Sequence, residues 1–296
     1  MGVVTRADRA SAVDSSRYLL ALGDSLAAGY QPTFGNSMPP VNVDTGYRDG
    51  GYPKGYAAVL ASTRRLTLVD LGCPGETTAT MMTAPALRQC GDLYQKEFRA
   101  TSQLSAANVF LSRHRNQVAA VSIDVGANDL EHCVSSSQVS LSCLKSDDVK
   151  TMRNLTTILG SLRTTLQRTN PSAQLVSMNY YDPFLGLAFS PGGTDGLKLA
   201  ASSLVATDIF NTELSAVLRS FGVPRADVAS TFGVNRFVPL TRYSGMLVPE
   251  NVATTCKLTW MCSPGSSQGR DIHPNNAGYQ AIAGAFEKVL KPSGGT

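Results

Sequence analysis

A serine hydroxyl, an imidazole and a carboxamide can together carry out acyl transfer when a fold brings them within hydrogen-bond reach. This chain of 296 residues offers each of them at or beside a turn. Ser25 follows the apolar run Tyr18-Leu19-Leu20-Ala21-Leu22 and the pair Gly23-Asp24, and it precedes Leu26-Ala27-Ala28. That pattern places Ser25 at the carboxyl end of a buried strand and near the first turn of a helix. Ligands gather at such strand ends in open α/β sheets, and the positive end of a helix favours a nearby alkoxide or oxyanion. Asn128, in Gly126-Ala127-Asn128-Asp129, ends a second apolar run and supplies a side-chain N–H. Gly75, in Gly72-Cys73-Pro74-Gly75-Glu76-Thr77, permits close approach of a backbone N–H.

The base must come from three histidines. His114 lies in the charged helical stretch Ser112-Arg113-His114-Arg115-Asn116 and is expected to be exposed. His132 follows Asn128 beside a cysteine and reads as structural. His273 stands in Asp271-Ile272-His273-Pro274-Asn275-Asn276, where Pro274 stiffens the turn and Asn276 is expected to cap the closing helix. It is the best candidate base. Gly265-Ser266-Ser267-Gln268-Gly269 matches a Gly-x-Ser-x-Gly elbow, but it has neither a strand before it nor a helix after it, so it is read as a chance match.

The elements that must position these groups alternate. Strands are expected at Tyr18–Leu22, Leu66–Leu71, Val118–Val125 and Gln174–Asn179, with a short fifth at Ala226–Ala229. Helices are expected at Pro53–Arg64, Leu104–His114, Val149–Arg168, Ser203–Ser220 and Asn276–Leu290. In the third of these, Val149, Met152, Leu155, Ile158, Leu159, Leu162 and Leu166 recur at three- and four-residue steps. Gln31–Tyr52 and Phe184–Gly196 read as loops and Thr231–Arg270 as mostly irregular. Alternating strands and helices indicate a parallel sheet of about five strands between two helical layers, α/β in class. No linker or repeat interrupts it, so residues 17–296 are read as one domain. Residues 1–16 are read as a flexible leader of a mature form whose secretion signal has been removed.

Composition narrows the function classes. Hydrophobic residues make up 43% and charged residues 16%, enough for a core and too few charges for disorder. The net charge of +4 is scattered, with no basic run of the kind nucleic acid requires. No apolar stretch approaches the ~20 residues that cross a bilayer. The six cysteines permit fifteen pairings. Each of Cys73-Cys90, Cys133-Cys143 and Cys256-Cys262 would close a short loop in a polar stretch. Three such staples indicate an oxidising compartment, hence export. No Cys-x-x-Cys or His spacing suggests a metal site.

The four stretches Gly23-Asp24-Ser25-Leu26, Gly72 to Thr77, Gly126 to Asp129 and Asp271-Ile272-His273-Pro274 stand in the order of the four blocks of the SGNH/GDSL hydrolases. The resemblance runs from about Tyr18 to Leu290. It looks closest to the secreted actinobacterial branch, whose members often carry three disulfides. It implies a flavodoxin-like three-layer fold and an esterase or lipase needing no cofactor. Ser25 would be the nucleophile and His273 the general base and acid. The Ser25 N–H, Gly75 N–H and Asn128 side chain would form the oxyanion hole. The family's supporting Asp stands three residues before the histidine, a position held here by Arg270. The resemblance therefore leaves two candidates for supporting His273: Asp271, or a carbonyl of Gly269 or Arg270. Asp24 would brace the turn.

Phe184, Leu185, Leu187, Ala188 and Phe189, with Met81 and Met82, suggest an acyl-binding surface. The expected substrates are short- to medium-chain esters of lipids or acylated small molecules, hydrolysed by a monomer. Carbohydrate O-deacetylation of the acetylxylan type, or phospholipid hydrolysis, is the alternative at the same site. A noncatalytic polysaccharide- or lipid-binding protein is the alternative of another class.

Overall fold

The computed structural model describes residues 18–32, 41–42, 47–48, 55–134, 139–189, 194–262 and 270–292. The leader, most of the loop 31–52, Pro53 and the 265–269 serine motif lie outside them. In chain order the first elements are β1 (Tyr18–Gly23), β2 (Val41–Asn42), β3 (Tyr47–Arg48), α1 (Tyr56–Arg64), β4 (Thr67–Asp70), α2 (Thr78–Met82), α3 (Arg88–Phe98), α4 (Gln103–Arg113) and β5 (Val118–Asp124). Then come α5 (Leu141–Thr169), β6 (Gln174–Met178), α6 (Thr194–Ser220), β7 (Arg225–Ala226), α7 (Val228–Thr231), β8 (Leu240–Tyr243), β9 (Met246–Pro249), α8 (Glu250–Leu258) and α9 (Asn276–Glu287).

Five strands form one parallel sheet in the order β4-β1-β5-β6-β7. From β1 the chain steps outward to β4, then crosses back to place β5 on the other side of β1. The crevice at the carboxyl ends of β1 and β5 is therefore the topological switch point of a flavodoxin-like sheet. Ser25 and Asn128 follow those two strands.

Leu19, Leu20, Ala21 and Leu22 of β1 are fully buried, as is Val121 of β5. Each fully buried Leu or Val contributes about 1.5–3 kcal/mol relative to an exposed one. Helices α1 and α9 pack together on one face, with the rings of Tyr56 and Phe286 stacked at 4.8 Å. Helices α4, α5 and α6 pack on the other, and the Asn108 amide of α4 donates to the Ser161 hydroxyl of α5 at 3.0 Å. Disulfides join Cys73 to Cys90, Cys133 to Cys143 and Cys256 to Cys262. No helix among the described residues is long and apolar enough to cross a membrane.

Several expectations are corrected. Thr231–Arg270 is not mostly irregular: it holds the hairpin β8–β9 and helix α8. Helices α2 and α3 were not anticipated, and β2 pairs with β3 inside the stretch read as loop. Helix α5 starts at Leu141 rather than Val149, capped by the Ser140 hydroxyl; buried Asp148 interrupts its apolar stripe and hides the first two turns in the sequence. Helix α6 starts at Thr194, nine residues before its expected start. Gly196, read as a loop residue, is a helical contact: a Cβ there would stand 2.6 Å from the Leu187 carbonyl oxygen. Residues 183–189, read as loop, form a 3-10 helix (Pro183–Phe189). The fifth strand is only Arg225–Ala226, because Asp227 caps α7 immediately afterwards.

Candidate active site

Strand β1 ends at Gly23, whose φ of 141° and close approach to Asp124 exclude a side chain: a Cβ there would lie 2.1 Å from the Asp124 carbonyl oxygen. The buried Gln103 side chain clamps this glycine. Its oxygen accepts the Gly23 N–H at 2.7 Å, and its amide donates to the Gly23 carbonyl at 2.9 Å. The chain then curls through a single turn, in which Ala28 N–H donates to Asp24 O at 3.1 Å and Tyr30 N–H to Ser25 O at 2.9 Å. The expected helix after Ser25 is absent. Gly29, at φ 71°, turns the chain away, so no helix macrodipole acts on the serine.

Carboxyl groups take the place of that helix. Asp24 accepts the Leu26 N–H at 2.8 Å, and Asp124 of β5 accepts the Ala27 N–H at 3.2 Å and the Tyr56 hydroxyl at 2.5 Å. The Asp24 backbone N–H donates to the Asp124 carbonyl at 3.2 Å, and the two buried carboxyls perturb each other's ionisation. Burial pushes Asp24 up to about 6, against the lowering effect of the Leu26 N–H and of Asp124. Burial and the neighbouring Asp24 push Asp124 well above the usual carboxylate range. Two carboxyls this close and this dry share a proton rather than ionise together.

His273 arrives on the turn that enters α9. Its Nε2 lies 2.8 Å from Ser25 Oγ, and its Nδ1 lies 2.7 Å from Asp271 Oδ1. The same carboxylate oxygen accepts the His273 backbone N–H at 2.8 Å, which fixes the two-residue spacing geometrically. Burial raises the Asp271 carboxyl, but the His273 hydrogen bonds and charge outweigh it and hold the group below its ordinary value. The imidazole is braced further by the Tyr30 ring, centred 4.5 Å away, and by the Trp260 N–H, which donates to the His273 carbonyl at 3.0 Å. Asn275, not Asn276, caps α9 and accepts the Ala277 and Gly278 N–H groups. The Asn276 side chain instead accepts from Gln31 at 2.9 Å, and Gln31 accepts the Trp260 indole N–H at 3.3 Å.

Asn128 lies on the loop after β5 and donates to the Glu76 carbonyl at 2.9 Å. Asp129 ties the same two loops together by accepting the Thr78 N–H at 2.8 Å and its hydroxyl at 2.5 Å. The Gly75 turn, with Gly75 at φ 78°, is thus held beside Asn128 through its neighbour Glu76. Burial pushes the Glu76 carboxyl up to about 7.

Ser25, Asn128 and His273 open onto a cavity of about 340 Å3, and Gly75 is not among its lining residues. Apolar walls come from Leu130, Val134, Val139, Leu144, Ala206 and Phe210. Of the residues expected to form an acyl surface, only Phe184 lines this cavity. Met81 and Leu185 are buried in the main core, with Met82 and Leu187 packed against it; Ala188 and Phe189 pack against a small second cluster around Val248 and Val252.

The other histidines stand apart from the cavity. His114 is half-buried rather than exposed, packed on the rings of Phe110 and Tyr18 at 4.3 and 4.8 Å. His132 pairs with Asp147 at 2.9 Å beside the Cys133–Cys143 disulfide. The ligand atoms of these four residues gather within 4.8 Å, but both sulfurs are committed to each other. Asp124, Tyr56 and Gln103 were not anticipated. The one available signal was the acid at the end of the apolar run Val118–Val125.

The structure resembles an extracellular lipase from Streptomyces rimosus, with a TM-score of 0.53, 18% identity, and coverage of 93% of this chain and all of that one. It also resembles phospholipase A1 from Streptomyces albidoflavus NA297, with a TM-score of 0.52, 16% identity, and coverage of 93% of this chain and 99% of the other. No curated protein sequence matches the chain. The model of the GDSL-like lipase/acylhydrolase family matches residues 21–281, most of the chain, and the protein is therefore an ester hydrolase of that family.

Proposed function

We propose that this enzyme hydrolyses carboxylic esters of short- to medium-chain acids through an acyl-enzyme on Ser25. The observation that carries the reading is the line Ser25–His273–Asp271, with contacts of 2.8 and 2.7 Å, at the mouth of an apolar cavity. Ser25 Oγ attacks the ester carbonyl as His273 Nε2 takes its proton. The resulting oxyanion is met by the Ser25 N–H, the Gly75 N–H and the Asn128 amide. His273 returns the proton to the leaving alcohol, then takes one from water, and that water frees the acid and restores Ser25. Asp271 holds the imidazole in the tautomer that presents Nε2 to the serine and stabilises the imidazolium.

The volume of about 340 Å3 is near the lower end of the ~300–1,000 Å3 typical of ligand pockets, and its walls are apolar. It suits one acyl chain better than a polysaccharide strand. The three disulfides support work outside the cytoplasm. A panel of p-nitrophenyl esters from acetate to palmitate, with acetylated xylan and phospholipid beside it, tests the reading. Turnover should be highest on butyrate to decanoate. Activity on acetylated xylan alone would reassign the substrate.

A further inference from the structure

We infer that this enzyme docks on the surface of anionic phospholipid through two exposed apolar patches, one on the helices that line the cavity and one on the hairpin β8–β9. Monomeric proteins scatter their exposed apolar side chains singly, and a gathered patch marks an interaction surface. Here the large exposed hydrophobics among the described residues fall in two places. Leu141, Val149, Leu197, Val205 and Ile209 lie on α5 and α6; Phe237, Val238, Leu240, Met246 and Leu247 lie on or just before the hairpin β8–β9.

The first patch is built by helices that also line the cavity, whereas the hairpin lines none of it and is linked to it only through the 3-10 helix Pro183–Phe189. Leu197, Val205 and Ile209 fall at multiples of four residues along one stripe of α6, while Ala206 and Phe210, on the adjoining face, line the cavity. In α5, Leu141 and Val149 are exposed while Leu144 lines the cavity. In the hairpin, Tyr243 and Val248 turn inward, and the Phe189 ring sits 5.1 Å from that of Tyr243. Leu240 and Leu247 are left outside, with exposed Arg242 directly opposite Leu247.

The 3-10 helix Pro183–Phe189 joins the two. Its Pro183 and Phe184 line the cavity, its Leu187 carbonyl meets Gly196 at the start of α6, and its Phe189 meets the hairpin. Residues 236–249 carry Arg236 and Arg242 and no acid; Glu250, just beyond, pairs with Arg236 at 2.8 Å and leaves Arg242 as the outward charge. The chain carries a formal charge of +4. On the hairpin, Arg242 beside Leu240 and Leu247 gives the apolar and basic combination that binds anionic headgroups, whereas the α6 stripe, with exposed Asp195 and Asp208 beside it, supplies apolar contact only. The docking rests on the esterase reading for its purpose, but its test does not.

The test is co-sedimentation of the full chain with vesicles of phosphatidylcholine, with and without phosphatidylglycerol. The wild type should sediment with the mixed vesicles. Leu240→Ser with Leu247→Ser, and separately Val205→Ser with Ile209→Ser, should each weaken partitioning by about tenfold or more. Arg242→Gln should weaken it only when phosphatidylglycerol is present. Unchanged circular dichroism and thermal unfolding, with unchanged hydrolysis of soluble p-nitrophenyl butyrate, exclude misfolding. Vesicle binding by a chain that cleaves no ester would uphold the docking and sink the catalytic reading. The docking is overturned if the wild type stays in solution or if both double variants sediment like it. It is also overturned if sedimentation velocity shows a dimer that these substitutions dissociate, since a second copy then covers the patches.

Discussion

The buried carboxyl groups of Asp24 and Asp124 each accept a backbone N–H from the residues just after Ser25, and the Asp24 backbone N–H donates to the Asp124 carbonyl at 3.2 Å. The pair does what a helix N-terminus does in other sheets: it fixes the positions of N–H groups beside Ser25. It differs in one respect, because burial favours the protonated, neutral form of both carboxyls, raising Asp24 to about 6 and Asp124 well above the usual carboxylate range. The Tyr56 hydroxyl of α1 donates to Asp124, and the charge of Asp129 acts on Asp24 in the sense of raising it, as that of Asp24 acts on Glu76, while that of His273 lowers Asp24.

That proton predicts the pH dependence of stability. Asp24 is raised from 3.8 to about 6 in the folded protein, so folding favours its neutral form. Its stabilising contribution is complete below about pH 4 and is lost as pH rises through 6 and beyond. Asp271 acts in the opposite sense: it stabilises above its ordinary carboxylate range and loses that effect as pH falls through its depressed value. Thermal unfolding of wild type should therefore show a falling Tm between pH 5 and 8, and Asp124→Asn should flatten the fall. An equal slope in both proteins would show that the pair shares no proton.

Asp271→Asn tests the support of His273. The variant keeps the shape but loses the charge that fixes the tautomer, and kcat should fall by about a thousand-fold or more with KM little changed. Steady-state kinetics on p-nitrophenyl butyrate measure this. A loss smaller than tenfold would return the supporting role to a backbone carbonyl.

Asn128→Ala should lower kcat by about 10²–10³-fold, the usual cost of one oxyanion donor. The side chain also donates to the Glu76 carbonyl, so a structural cost of about 1 kcal/mol is expected in denaturant unfolding. If unfolding shifts while kcat does not, Asn128 only ties the two loops.

Ala206→Phe should shorten the acyl preference. Ala206 lines the cavity from α6, and an aromatic ring there displaces several methylenes of chain. Each methylene lost from an apolar pocket is worth about tenfold or more in kcat/KM, so decanoate should fall steeply against acetate. A uniform loss across the ester panel would place the acyl chain elsewhere.

Much of this site was readable because its residues break patterns. Ser25, Asn128 and His273 each interrupt an apolar run or precede a helix, and small or rigid neighbours such as Gly23, Gly126 and Pro274 mark the turns. Asp124 was hidden because an acid at the end of a buried run carries no label for its partner. Tyr56 and Gln103 act through contacts 68 and 80 residues away in sequence, which no periodicity records. The turn after Ser25 misled for a related reason: Leu26-Ala27-Ala28 has helical propensity, but side-chain carboxyls capture the N–H groups and Gly29 redirects the chain. Helix α8 escaped because its residues pack mainly against a small local cluster rather than the sheet.

The central claim is that Ser25 is the nucleophile. Wild type and Ser25→Ala should be treated with a fluorophosphonate probe and the adduct mapped by peptide mass spectrometry. The account predicts a single adduct on Ser25, loss of ester hydrolysis in step with labelling, and no adduct on the Ser25→Ala protein. Labelling on any other serine, or full hydrolysis by Ser25→Ala, would contradict it.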